Sequence, residues 1–138
     1  MISQGAGRDK NVRSGLLTSP YVRQALLVSR KTVARTQGLD IKVSLLPLDQ
    51  VPRALAARDT RGLIKLVADN ATDSLLGGQI MAPEGEDALQ TMVLAIKYGV
   101  TAAEVGATIF PYLTKVEGLK LAAQTFDVDG SKLSCCSG

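Results

Sequence analysis

The sequence predicts an α+β domain, an antiparallel β-sheet covered by helices, and three observations carry that prediction. Apolar residues alternate or run in short blocks between residues 40 and 81, the signature of strands. From Leu89 onward they recur at helical spacing. Strands that come first and helices that follow place the helices together on one side of a sheet.

Composition sets the frame. At 138 residues the chain is one domain with one core. Its 46% apolar and 21% charged residues are those of an ordinary globular protein, and with 4% aromatics the core must be aliphatic. Base stacking is therefore not expected. The net charge is +3, with one basic cluster at Arg23, Arg30, Lys31 and Arg35. A solvated helix face explains that spacing, so no nucleic-acid partner is expected. No apolar run approaches the roughly 20 residues that span a bilayer, and the start of the chain is too polar for a signal peptide. The expected compartment is the cytosol, with no membrane partner.

Taken in order, residues 1–15 carry Gly5, Gly7 and Gly15 among charged residues and read as a flexible leader. Residues 16–28 open on the turn signal Thr18-Ser19-Pro20 and continue through Val22, Ala25, Leu26 and Leu27 as a strand. Residues 29–37 read as a short helix, with Ser29 at its N-cap and Gly38 as its left-handed stop. Residues 40–48 alternate, with Ile41, Val43 and Leu45 on one face and Lys42, Ser44 and Leu46 on the other. Pro47 removes a ladder donor there, so the strand ends at a sheet edge. Residues 51–59 form a connection with one helical turn. Residues 62–68 and 75–81 are apolar runs separated by Asp69-Asn70-Ala71-Thr72-Asp73-Ser74, which makes a β-hairpin. Gly77 and Gly78 mark a bulge or the close approach of another backbone.

Three helices follow. Leu89, Met92, Val93 and Ile96 line one face of the first, which Gly99 ends. The second opens on Thr101-x-x-Glu104, a capping box with Val100 and Val105 as its hydrophobic staple. Thr114 and Glu117 offer the third the same box after Pro111, and its Val116, Leu119, Ala123 and Phe126 lie near one face.

Few of these features carry chemistry. The chain has no histidine, which excludes histidine acid–base catalysis and the usual zinc ligand sets. Gly5-x-Gly7 lacks the strand and spacing of a nucleotide loop. Glu84, Glu86 and Asp87 sit where a first helical turn favours acids. The two cysteines, Cys135 and Cys136, are adjacent in a polar tail. A bridge between neighbours constrains almost nothing, so they are expected as free thiols. Adjacent thiolates suit one soft ion or a redox role better than tetrahedral zinc; an incidental chain end explains them as well.

Several stretches together resemble a known family. Val51-Pro-Arg-Ala-Leu-Ala, Asp59-Thr-Arg-Gly-Leu-Ile-Lys-Leu-Val, Phe110-Pro-Tyr-Leu-Thr, Val116-Glu-Gly-Leu-Lys-Leu-Ala-Ala-Gln-Thr-Phe and Leu133-Ser-Cys-Cys resemble the C-terminal part of bacterial mercuric reductases, from about Gly38 to the end. These belong to the pyridine nucleotide-disulfide oxidoreductases, and this part resembles their dimerisation domain. The resemblance implies a homodimer whose tail thiols, Cys135 and Cys136, capture Hg(II) and pass it to a redox-active cysteine pair beside the flavin of the partner subunit. It also implies a supporting ligand or hydrogen-bonding role for Tyr112, whose alternative is an aromatic anchor in the dimer interface. Where related reductases carry a catalytic histidine, this chain has Phe110.

The family uses FAD and NADPH, but these residues include no segment for either and no Cys-x4-Cys, so this chain alone is not expected to reduce Hg(II). Nor do Pro20-Tyr-Val-Arg-Gln-Ala-Leu-Leu-Val and Ser29-Arg30 keep the glycine and the acid of the family's first strand and helix. The organisation expected is a leader over residues 1–15, a dimerisation domain over 16–126 and a mobile thiol-bearing tail over 127–138. A flavin-bearing reductase core is the expected partner beyond the dimer. The competing expectation is a non-enzymatic dimeric fragment with a soft-metal-binding or inert thiol tail.

Overall fold

Residues 13–18, 23–28 and 40–127 are described by the computed structural model. Five strands form one antiparallel sheet: β1 (Arg13–Thr18), β2 (Arg23–Val28), β3 (Ile41–Pro47), β4 (Leu63–Asp69) and β5 (Leu75–Ala82), in the spatial order β1-β2-β5-β4-β3. A 3-10 turn (Leu48–Gln50) and the short helix α1 (Pro52–Ala56) connect β3 to β4. Helices α2 (Gly85–Tyr98), α3 (Ala102–Ala107) and α4 (Glu117–Gln124) follow the last strand. The α+β arrangement, strands first and helices after, is the one expected.

The start of the sheet differs from the expectation. Residues 16–28 are not one strand but parts of two, paired antiparallel with Thr18 opposite Arg23. The turn signal around Pro20 separates two strands instead of preceding one, since proline cannot donate to a ladder. β1 also begins at Arg13, inside the expected leader. Residues 1–12 and the helix expected over 29–37 lie outside the described residues.

From β3 onward the pattern holds. β3 is an edge strand, as Pro47 implied. Its buried face is Ser44 and Leu46, while Val43 and Leu45 are 43% and 54% exposed. The more apolar set of its alternating residues thus points away from the helices. In the β4–β5 hairpin the Asp69 carboxylate accepts the N–H groups of Ala71 and Thr72 at 2.8 and 2.9 Å, which turns the chain. Val67 faces Gly77 and Ala68 faces Leu75, so Leu76 is the extra residue of a bulge. Gly78, two residues on, fulfils the other half of the expectation: a Cβ there would meet the Lys65 carbonyl and lie 2.6 Å from Met92 Sδ of α2.

The core lies between one face of the sheet and the helices. Leu46, Ile64, Leu66, Ile80, Met92 and Leu119 are its largest buried side chains, each contributing roughly 1.5–3 kcal/mol by leaving water. Gly99, at φ 68°, closes α2 by donating its N–H to the Ala95 and Ile96 carbonyls. The α3 capping box is complete: Glu104 N–H donates to Thr101 Oγ1 at 3.1 Å, and Thr101 N–H to Glu104 Oε2 at 2.8 Å. Val105 is buried and Val100 packs against the core, as a hydrophobic staple requires.

Candidate functional site

Of the residues expected to carry function the structure describes Tyr112, which lies just before α4. At its N-terminal end, Ile109 to Val116 form a turn that displays Tyr112, 66% exposed. Phe110, two residues earlier, is half-buried and packs on the core, so one aromatic anchors the turn and the other faces outward. Leu113 sits at φ 62°, a left-handed conformation that a leucine adopts only under constraint.

The constraint is visible in the hydrogen bonds. Thr114 Oγ1 donates to the Pro111 carbonyl at 2.7 Å and accepts the Glu117 N–H at 3.3 Å. The expected capping box is therefore half formed. Glu117 does not return its carboxylate to Thr114; it accepts the Leu113 N–H at 3.1 Å. Buried with 7% exposure, it pins the strained residue beside Tyr112. Helix α4 itself fits closely against β4, because a Cβ on Gly118 would come within 2.6 Å of Ile64 Cδ1.

Lys115 links this turn to a distant part of the chain. Its Nζ donates to the Pro83 carbonyl and to Glu84 Oε2, the latter at 2.9 Å. That hydrogen bond, with the ammonium's charge, holds the Glu84 carboxyl below its usual range. Of the acids expected in the first turn of α2, Glu86 and Asp87 lie there, whereas Glu84 is the N-cap residue. Sequence reasoning missed both Lys115 and the true partner of Glu117. A contact across 31 positions leaves no periodic signal.

At its other end α4 is tied to β3. Ser44 Oγ donates to the buried Ala122 carbonyl, to which Thr125 Oγ1 also donates at 2.8 Å. Beyond it, Lys42 Nζ lies 5.1 Å from the Phe126 ring centroid and 2.7 Å from Asp73 Oδ1. The Asp73 hydrogen bond raises the Lys42 pKa. Burial works to raise the Asp73 carboxyl, but the Lys42 and Ala103 N–H donors outweigh it and the net shift is downward. Phe126, at the root of the tail, thus sits beside a cation held by Asp73.

Cys135 and Cys136 lie outside the described residues. The eight peptide steps from Asp127 to Cys135 reach at most about 28 Å, more than the roughly 12 Å length of an eight-residue helix. Reach alone therefore leaves the tail free to serve its own subunit's turn or another's. Among the described residues no group of three His, Cys, Asp or Glu is placed to hold a metal ion. Nor is any helix long and apolar enough to cross a membrane. Of the basic cluster only Arg23 is described, at the start of β2.

FAD and NADPH do not fit the described residues. The cavity lined by Leu48, Val51, Ile64, Ile80, Ala82 and Lys115 is small and mostly apolar, without the glycine-rich turn at a helix N-terminus that dinucleotides use.

Comparison with known proteins gives a consistent result. The profile of the pyridine nucleotide-disulphide oxidoreductase dimerisation domain matches residues 29–123. The chain is 52% identical over 105 residues to a mercuric reductase of Serratia marcescens, covering 76% of this chain and 23% of that protein. It is 47% identical over 121 residues to the mercuric reductase of Bacillus cereus, covering 88% and 19%. It thus spans about a fifth of the length of these relatives. Among solved structures, the HOCl-induced flavoprotein disulfide reductase of Escherichia coli superposes with a TM-score of 0.72 at 22% identity, covering 83% of this chain and 26% of that one. That similarity speaks to the fold.

Proposed function

The chain belongs to the pyridine nucleotide-disulphide oxidoreductase dimerisation family, and from that premise we propose that it is the dimerisation and Hg(II)-acquiring domain of a mercuric reductase. The observation that carries the proposal is the near-50% identity to mercuric reductases across most of the chain. The closing Cys135-Cys136 pair supplies the chemistry.

Hg(II) is here a substrate. It arrives held by small thiols, and each tail thiolate displaces one of them, forming one Hg–S bond as another breaks. The departing thiolate takes up the proton that the tail thiol lost, and no electron moves. A second cysteine pair on the reductase core removes the ion by the same displacement, so it is never released. Soft thiolates favour this ion over harder competitors. Tyr112 stands exposed on a pinned turn, where its hydroxyl serves as a supporting ligand or hydrogen-bond donor during transfer. The reduction itself, with FAD and NADPH, belongs to the parts of a full-length reductase that these residues do not include. Two copies of this domain bring each tail near the other's turn, in a cytoplasmic homodimer.

The test is a titration of the reduced protein with Hg(II) against a competing small thiol, with mass measured under native conditions. One ion per chain in a dimer, lost in the Cys135→Ser/Cys136→Ser variant, supports the proposal. Binding no tighter than the competitor's leaves a dimeric scaffold with an inert tail, and a Cu(I)-selective response identifies a soft-metal buffer instead.

A further inference from the structure

The Tyr112 turn is shaped by its own bonds but attached by few. Thr114, Pro111, Leu113 and Glu117 bond to one another within seven residues, which keeps the turn's form and ties it to the rest of the fold only through the first residue of α4. Packing of Phe110 and Val116 supplies the apolar attachments. The polar attachment across the fold is Lys115, whose ammonium crosses to the junction of β5 and α2 and bonds the Pro83 carbonyl and the Glu84 carboxylate.

We propose that Lys115 is a positioning residue, a latch that fixes the orientation of Tyr112 by fastening its turn to Pro83 and Glu84. The role of the latch in metal transfer rests on the function proposed above; the latch itself does not. Its side chain is 21% exposed while that of Glu84 is 71% exposed, so the part-buried bond to the Pro83 carbonyl is the better shielded of the two. The carbonyl it holds precedes Glu84, which sits at φ 55° as the N-cap of α2. The depressed Glu84 carboxyl agrees with a formed ion pair. The Lys115 charge also helps Arg61 to lower the Asp59 carboxyl. An unbranched apolar side chain would fill the same space and make neither bond.

The experiment uses the whole chain labelled with 3-fluorotyrosine. Its three tyrosines and absence of tryptophan make the Tyr112 resonance assignable through Tyr112→Phe. In Lys115→Met the Tyr112 signal should shift and broaden, and amide exchange of Leu113 and its neighbours should quicken by roughly tenfold. Core amides such as Leu66 and Ala68 should keep their protection. Lys115→Arg should restore the signal, and Glu84→Gln should give an intermediate effect because the Pro83 carbonyl remains. An unmoved Tyr112 signal in Lys115→Met overturns the latch, as does loss of protection spread evenly through the core.

The Hg(II) titration separates the two ideas. A Tyr112→Phe variant with unchanged Hg(II) affinity, beside a Lys115→Met variant with a displaced Tyr112 signal, keeps the latch and removes Tyr112 from the metal site.

Discussion

Ser44 on the edge strand donates a buried hydrogen bond to the carbonyl of Ala122, 78 positions away in the last helix. Thr125 Oγ1 lies against both atoms, so two hydroxyl protons serve three contacts. This cluster joins the sheet to the helix from which the tail departs.

Replacing Ser44 by alanine removes one of those hydroxyls but leaves Ala122 an acceptor for Thr125. The loss should be about 1–2 kcal/mol, read as a lowered urea midpoint at unchanged slope. A neutral result would mean that the Thr125 contact satisfies the carbonyl alone.

Gly78→Ala should be worse. The added methyl meets a backbone carbonyl, that of Lys65, as well as Met92 Sδ at 2.6 Å, and a backbone atom in a central ladder cannot step aside. A cost of about 2–3 kcal/mol is expected in the same denaturation assay; a variant as stable as the parent would contradict the close approach of α2 to β5.

Acid should destabilise the fold in a definite window. Arg61 hydrogen bonds hold Asp59 at about 2, below its ordinary 3.8. Backbone and side-chain donors of Thr101 lower Glu104 from 4.5, and N–H donors from Thr72 and Ala71 lower Asp69. Each group binds its proton more tightly in the unfolded chain, so its stabilisation is complete above the ordinary values of 3.8 and 4.5. It is lost as pH falls through the lower folded values. The urea midpoint should therefore be level at neutral pH and decline below about pH 4.5, more shallowly in Glu104→Gln. Stability that rises on acidification would refute the assignment.

Cys135→Ser/Cys136→Ser should leave the thermal midpoint where it is, within about 0.5 kcal/mol of stability. The tail is mostly Ser, Gly, Asp and Lys beside the thiols and offers little apolar surface to bury. A larger loss would show that the thiols contribute to the fold as well as to metal capture.

The elements that were legible in the sequence are those whose signals are local. The Thr101–Glu104 box, the Gly99 stop and the β4–β5 turn each involve residues within a few positions, and the structure builds all three. The first hairpin is not legible, because an irregular apolar run around Pro20 does not reveal whether a turn opens one strand or divides two. The Thr114–Glu117 box was read in part: its spacing was right, but the carboxylate found the Leu113 N–H instead.

For the candidate site the division is sharper. The adjacent thiols are read directly as residue types, and Tyr112 only through the family resemblance. Nothing in their neighbourhood announces Lys115 reaching Glu84, or Glu117 holding Leu113 at φ 62°.

By itself the sequence determined the order of strands and helices from β3 onward, the Gly99 stop, the Thr101–Glu104 box, the aliphatic core and the family resemblance, because each follows from short-range periodicity or from residues adjacent in the chain. Only the tertiary structure decided the strand order β1-β2-β5-β4-β3, the outward face of Val43 and Leu45, and the bonds of Lys115 to Pro83 and Glu84. Those depend on contacts between segments far apart in sequence, where packing and hydrogen-bond geometry choose among arrangements that local pattern leaves equivalent.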